Sequence, residues 1–503
     1  MAKKGYLLGL DIGSSSIKAS LLDVESGTVA VSAVSPKTEM KIRAPKSGWA
    51  EQEPEEWWEH VRHALAEIDR EKPGVLSGIQ AVGISYQMHG LVLLDQDGKV
   101  LRPSIIWCDS RAVKYGEKAF TEIGRQRCLE TLLNSPGNFT AAKLAWVKEN
   151  EPDIFKKIWK IMLPGDYVAY RLTGEAVTTP SGLSEGIFWD YQKNSPADFL
   201  IEYFGFSPDL LADVKDTFSV HGKVSAQAAE ELGIPTAVPV SYRAGDQPNN
   251  AFSLNVLKPG EYATTAGTSG VVYGIVDEPL YDPASRVNAF IHVNHRSSDP
   301  RYGVLMCLNG TGILNSWLKH NCVNGRDGGI DYDEMNAVAQ EAPLGADGLL
   351  VLPYGNGAER TLGNKNPGAS FQGINFNIHS RAHMLRAAQE GIVFALYYGI
   401  RIMEGMGMEL QTFKAGYANM FLSPLFQRIF TAVTGKPLLL YVTDGAAGAA
   451  RGAGVGAGVY GSFEEAFKAL QAKETIEPDP GESKAYRESY ESWKAELHRR
   501  LSS

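Results

Sequence analysis

Short apolar runs separated by polar turns open the chain: Tyr6 to Leu10, Ile17 to Leu22 and Val29 to Val34. Gly13-Ser14-Ser15-Ser16 joins the first pair and Glu25-Ser26-Gly27 the second. Apolar runs bounded by turn residues predict three strands in a meander. Pro54-Glu55-Glu56 then opens a predicted helix. Proline suits the first helical position, and acids in the first turn complement the helix dipole. Trp57, Val61, Leu65 and Ile68 recur at helical spacing and predict one buried face. Ile79 to Ser85 predicts a strand running into the polar loop Gln87-Met88-His89-Gly90, and Leu91 to Leu94 a further strand.

After Ala251 the opening pattern returns. Glu261 to Thr265 and Val271 to Val276 predict strands joined through Ala266-Gly267-Thr268-Ser269-Gly270. Strand, glycine with hydroxyls, strand is thus met twice. Two similar domains facing one ligand would produce this, and so would coincidence, because such turns are common. The predicted division is 1–251 and 252–503, with the last helix packing back on the first domain. Gly445 to Tyr460 is rich in Ala and Gly and carries Arg451, which predicts a closely packed helix rather than a membrane span. Its alternate glycines from Gly452 to Gly458 look like a dinucleotide fingerprint, but no β-α-β unit follows them.

Composition narrows the function. At 503 residues the chain exceeds one ordinary core, and 44% hydrophobic with 21% charged residues fits a globular protein. A net charge of -9 argues against a nucleic-acid partner, though not against a nucleotide held by backbone N–H groups. Cys108, Cys128, Cys307 and Cys322 are widely spaced, which predicts reduced thiols in a cytoplasmic enzyme. Neither a signal peptide nor a membrane helix is expected from the apolar runs.

Four clusters can carry chemistry. Asp11 ends the first predicted strand before a Gly/Ser turn, where a carboxylate can hold Mg²⁺ through water and turn amides can face phosphate. The alternative is an aspartate capping its own turn. Asp246, with Gln247, Asn249 and Asn250, reads as a polar loop able to orient a hydroxyl and take its proton, or as a plain interdomain turn. His89, beyond a strand, can donate to a sugar hydroxyl or be merely structural. Trp107-Cys108-Asp109-Ser110-Arg111 offers a stacking face and polar groups, or a surface ion pair. No G-x-x-x-x-G-K-[ST] phosphate loop is present: Gly435-Lys436 is followed by Pro437.

Together these motifs resemble the FGGY carbohydrate kinases, over nearly the whole chain and in the family's order. Leu8 to Ser16 is similar to the first phosphate clip, Thr140 to Asn150 to one family signature, and Gly368 to Ile374 with His383 to Glu390 to the second. The resemblance implies an α/β fold of two ribonuclease-H-like domains, of the actin/Hsp70/hexokinase type, with the active site between them. It implies ATP and Mg²⁺, with Asp11 beside metal and phosphate and Asp246 as general base. Gln87-Met88-His89-Gly90 resembles the substrate loop of the xylulokinases, which implies phosphorylation of D-xylulose to D-xylulose 5-phosphate. Gln87, Met88, His89, Trp107, Asp109, Asp246 and Gln247 would then meet the sugar. Gly13, Ser14, Ser15, Gly267, Thr268, Gly310, Thr311, Gly416 and Asn419 would meet ATP. Tyr86 replaces the small residue usual before Gln87, and Ala415 to Met420 departs from the usual glycine run at adenine. Ribulose, a deoxyketose or a glycerol-like polyol are the alternative acceptors. A catalytically silent sugar-binding regulator and a partner-driven ATPase are the alternative classes. Relatives are often homodimers, which makes a homodimer the expectation by analogy.

Overall fold

In the computed structural model, residues 5–323 and 330–502 are described. The predicted meander forms as β1 (Tyr6–Ile12), β2 (Ile17–Asp23) and β3 (Val29–Ser35). Each strand pairs antiparallel with the next. The helix read from Pro54 spans Pro54–Glu71 (α1), and Trp57, Val61, Leu65 and Ile68 all lie on its buried face. A fourth strand, β4 (Ile79–Tyr86), lies parallel to β1. With β5 (Gly222–Lys223) and β6 (Pro239–Gly245) it completes a six-stranded sheet in the order β5-β6-β4-β1-β2-β3. Between β4 and β5 lie two helices that matter to the site, α2 (Thr140–Asn150) and α3 (Pro180–Glu185).

Asp246 does not sit in a loop. The chain leaves β6 directly into α4 (Asp246–Ser253), with Asp246 as its first residue. The run Asp-Gln-Pro-Asn-Asn reads as a turn, but an acid and a proline are both welcome in a first helical turn, where N–H groups have no intrahelical partner. Ala251, the expected boundary, is therefore buried inside a helix.

A second sheet repeats the wiring. β7 (Glu261–Ala266) pairs antiparallel with β8 (Gly270–Val276), which pairs with β10 (Tyr302–Leu308) and that with β9 (Asn288–Ile291). On the other side of β7 come the parallel β11 (Thr412–Gly416) and β12 (Leu438–Tyr441), then β13 (Ala472–Ile476). Strands β1, β2, β4 and β6 therefore correspond to β7, β8, β11 and β12. The repeated glycine turn marks a repeated fold.

Two long helices, α5 (Arg381–Gly405) and α6 (Pro424–Thr434), cover this second sheet. The Ala/Gly-rich stretch forms α7 (Gly445–Gly456), as its composition predicts. α7 leaves β12 but packs on β1, β4 and β6 of the other sheet. Its small residues permit the approach: a Cβ on Gly9 would lie 1.8 Å from the Ala446 carbonyl oxygen, and one on Gly83 2.0 Å from that of Ala449. The last helix, α8 (Pro480–Ser502), does not return to the first domain as expected. Tyr486, Tyr490, Trp493 and Leu497 bury it in the second core, against α5 and α6. Among the described residues no helix is long and apolar enough to cross a membrane.

Candidate active site

The site is built where strands of both sheets end. Asp11 lies near the end of β1, level with Ser85 on β4. Its carboxylate meets the start of α7, since a Cβ on Gly445 would stand 2.4 Å from its Oδ2. Burial pushes the Asp11 carboxyl up; the Ser85 hydroxyl opposes this, Asp444 adds to it and Lys18 opposes it. Asp444 caps α7, its Oδ1 accepting from Ala447 N at 2.9 Å, and its Oδ2 pairs with Lys18 Nζ at 2.6 Å. The turn after β1 closes with Gly13 N donating to Ser16 O at 3.1 Å.

The matching turn after β7 is tied to the segment following β10. Thr311 Oγ1 and Gly312 N both donate to Gly267 O at 2.8 Å. Gly310 presses on the backbone beside it, where a Cβ would meet Pro353 O at 2.1 Å. Asn419, in the left-handed region at φ 56°, brings its amide beside Gly267. A cavity of about 180 Å³ is lined by Thr265, Ala266, Gly416, Asn419, Asp444 and Gly445 among others. It joins the predicted adenine-side residues Gly416 and Asn419 to the helix start that touches Asp11. Thr268 reaches the same turn, its carbonyl accepting from Ile313 N at 3.3 Å. Ser15 is exposed at the tip of the first turn. A larger groove of about 900 Å³ runs between α5 and α8 and contains none of the predicted residues.

On the other side of Asp11 stand the residues expected to meet the acceptor. Asp246 begins α4, and its carboxylate meets the main-chain N–H groups of that first turn and the Gln247 side chain. Burial pushes its carboxyl up to about 7; the nearby Asp11 charge adds to this, and Gln247 opposes it. Met88 lies against Gly245, where a Cβ would come 2.6 Å from Met88 Cγ.

His89 takes the left-handed conformation, φ 61°. It is held there from two helices. Lys143 Nζ on α2 donates to its carbonyl at 2.7 Å, and its Nδ1 lies 2.9 Å from the Glu185 carbonyl oxygen on α3. Phe139 stands edge-on to the ring at 4.8 Å, with Phe290 at 5.6 Å. Burial drives the imidazole down to about 3, so the ring is neutral. A carbonyl only accepts, so Nδ1 carries the proton and Nε2 is an acceptor. In this tautomer Nε2 can accept from a hydroxyl but not donate to one, against the expectation that His89 donates.

Other predicted residues take supporting places. Gln87 is buried and donates through Nε2 to Gln52 Oε1 at 3.1 Å, while Gln52 Nε2 donates to Ser14 O at 2.6 Å. Trp107 is 51% exposed, and its Nε1 reaches Ser14 Oγ at 3.4 Å, between the two sides of the site. Asp109 has no accessible surface. Its carboxylate accepts from Ala50 N at 2.6 Å and from Arg111 Nη2 at 2.7 Å, and Arg111 continues to Glu51 at 2.7 Å. Asp109 thus anchors the loop beneath Trp107 and does not line the site.

Sequence reasoning missed three ionisable neighbours. Lys143 was visible only as part of a signature; it is fully buried, which lowers its ammonium to about 7. Arg360 comes from the second half, yet its guanidinium lies 5.6 Å from the Phe139 ring and lowers the His89 pKa. Glu185 ends α3 beside His89. None lies in a repeating pattern, and the last two reach the site only through folding.

Comparisons with known proteins agree with this geometry. The N-terminal domain of the FGGY family of carbohydrate kinases matches residues 6–253, and the family's C-terminal domain matches residues 262–459. The chain is 29% identical over 497 residues to the protein named xylulose kinase from Escherichia coli strain K12, covering 97% of each. The crystal structure of xylulose kinase from Rhodospirillum rubrum superposes with a TM-score of 0.86 at 27% identity, covering 99% of this chain and 100% of the other. The gluconate kinase structure from Lactobacillus acidophilus has a TM-score of 0.88 at 22% identity, covers 99% of both chains, and shares the fold. With both family domains matched in order along most of its length, the chain belongs to the FGGY family of carbohydrate kinases and is a carbohydrate kinase.

Proposed function

We propose that the chain transfers the γ-phosphoryl group of ATP to a primary hydroxyl of a ketopentose, with D-xylulose as the preferred acceptor. ATP is the donor used by sugar kinases of this family. The observation carrying the acceptor reading is the Met88–His89 loop, fixed in a left-handed turn against the residue preceding Asp246. A neutral His89 accepting one hydroxyl, Met88 against the carbon chain and Asp246 at the reacting hydroxyl suit a small polyhydroxy ketone.

In the reaction the acceptor oxygen forms the new P–O bond as the bond from γ-phosphorus to the β-bridging oxygen breaks, leaving ADP. The hydroxyl proton passes to Asp246, whose pKa of about 7 matches that task. Amides of the two glycine turns, other than Gly13 N, which already donates to Ser16 O, would face phosphate oxygens. Among the described residues no group of three or more His, Cys, Asp or Glu is placed to hold a metal alone. Asp11 beside Asp444 still fits Mg²⁺, which takes one or two carboxylates and completes its shell with phosphate oxygens and water. The ion would neutralise phosphate charge. We place the hinge for cleft closure in 254–260, after α4, and closure would exclude water as an alternative acceptor. Four unpaired cysteines fit a reducing cytoplasmic setting.

Coupled ADP release with Mg-ATP, comparing D-xylulose, ribulose, gluconate, glycerol and no acceptor, tests the reading. Strong release with D-xylulose supports it. Preferential release with another acceptor rejects the substrate, and sugar-independent release rejects the proposed reaction.

A further inference from the structure

The Glu185 side chain has no role in the chemistry above, and its placement is unusual. It ends α3 with a side-chain exposure of 2%. Neither carboxyl oxygen has a hydrogen-bond partner. It lies under the acceptor loop: Oε2 is 3.8 Å from His89 Nδ1, and a Cβ on Gly245 would stand 2.9 Å from it. The Tyr86 hydroxyl, equally buried and unpartnered, is its neighbour on β4. A buried carboxyl with no partner is costly, and it persists where a site tightens around a ligand or where the group holds a proton.

We propose that Glu185 is a positioning residue of the acceptor site, holding the Tyr86–His89 segment in the shape that presents the sugar to Asp246. The inference rests on the acceptor reading above. Burial pushes the Glu185 carboxyl far up; the Tyr86 hydroxyl opposes this, Asp246 and Asp166 add to it, and the His89 main chain opposes it. Arg243 stands behind Tyr86 and Asp166, and Lys143 faces the same loop from α2. This setting favours the protonated carboxyl, which offers one donor and one acceptor. Its own backbone carbonyl fixes the His89 tautomer. One residue thus holds the loop through main chain and side chain together. The residue before Gln87 is Tyr rather than a small one, which places a buried hydroxyl beside the acid.

Glu185→Ala and Glu185→Gln separate this from a packing role. Glu185→Ala should raise the KM for D-xylulose about tenfold while kcat and the KM for ATP stay within about twofold. Glu185→Gln keeps a donor and an acceptor and should recover to within about threefold of wild type. Glu185→Gln as impaired as Glu185→Ala, both KM values rising together, or no change in Glu185→Ala overturns the proposal. A second readout does not depend on substrate: the His89 ring resonances, assigned with His89→Gln, should shift in Glu185→Ala and return in Glu185→Gln. Unchanged resonances overturn the proposal even if no acceptor is phosphorylated, whereas wild-type inactivity on every ketose overturns only the acceptor reading.

Discussion

At the end of β6 the chain enters α4 through Gly245 and Asp246; at the end of β12 it enters α7 through Asp444 and Gly445. The two junctions are equivalent in the duplicated sheets, and each puts an aspartate beside Asp11. Their carboxylates differ in what holds them. Asp444 caps its helix and pairs with Lys18, so its charge is already matched. Asp246 meets first-turn N–H groups and Gln247, yet burial and Asp11 outweigh them and push it to about 7. One scaffold position thus holds a paired, helix-capping carboxylate at one junction and, at the other, the carboxylate we propose as proton acceptor. The surroundings, not the strand-to-helix turn, decide which.

The largest effect should come from exchanging each acid for its amide. Asp246→Asn removes the acceptor for the hydroxyl proton and should lower kcat about 100-fold or more, with ATP affinity nearly intact. Asp444→Asn should leave kcat within about tenfold and act on the KM for Mg-ATP. Steady-state kinetics with both substrates varied decide this. Equal losses in kcat would erase the distinction between the junctions.

The glycines beside these acids sharpen the contrast. A Cβ on Gly445 collides with Asp11 Oδ2 at 2.4 Å, whereas one on Gly245 collides with Met88 Cγ at 2.6 Å. Gly445→Ala should therefore raise the KM for Mg-ATP, and Gly245→Ala that for the sugar, each about tenfold. Crossed effects would put the acceptor on the wrong side of Asp11.

Asp246 must be unprotonated to act. Because its pKa is raised to about 7, kcat/KM should fall about tenfold per pH unit below that value and level off above it. His89, held near 3, stays neutral throughout and contributes no limb. His89→Gln should keep the limb and Asp246→Asn should lose it. A limb that vanishes with His89 instead would transfer the base role to the histidine.

Much of this was legible in the sequence, for local reasons. The apolar runs around Gly13 and Gly267 gave both meanders, and α1 followed from its helical spacing. The Ala/Gly stretch of α7 declared close packing before its partner was known. Asp246 was found as a residue but misplaced in a loop, because a first helical turn and a polar turn favour the same residues. Asp109 looked like a sugar contact because local spacing does not show that Ala50 and Arg111 occupy its carboxylate. Glu185 and Arg360 were invisible, since each meets His89 only after distant segments fold together. The approach of Gly445 to Asp11 joins the two ends of the chain and has no local signal at all.

The smallest effect is on stability, where the two acids should differ in sign. Asp444→Asn keeps the cap acceptor but removes a partly exposed ion pair, a loss of at most about 1 kcal/mol. Asp246 binds its proton more tightly folded than unfolded. Between its unfolded value near 3.8 and its folded value near 7, the folded state therefore holds more protons, and stability falls as pH rises through that window. Asp246→Asn removes a charge the fold does not match, so at pH 8 it should be more stable than wild type, and the pH-dependent loss should shrink. Urea unfolding at pH 5 and pH 8 reads both variants. If Asp246→Asn destabilises at pH 8 as Asp444→Asn does, Asp246 is a structural anion like its counterpart, and the base must be sought elsewhere in the cleft.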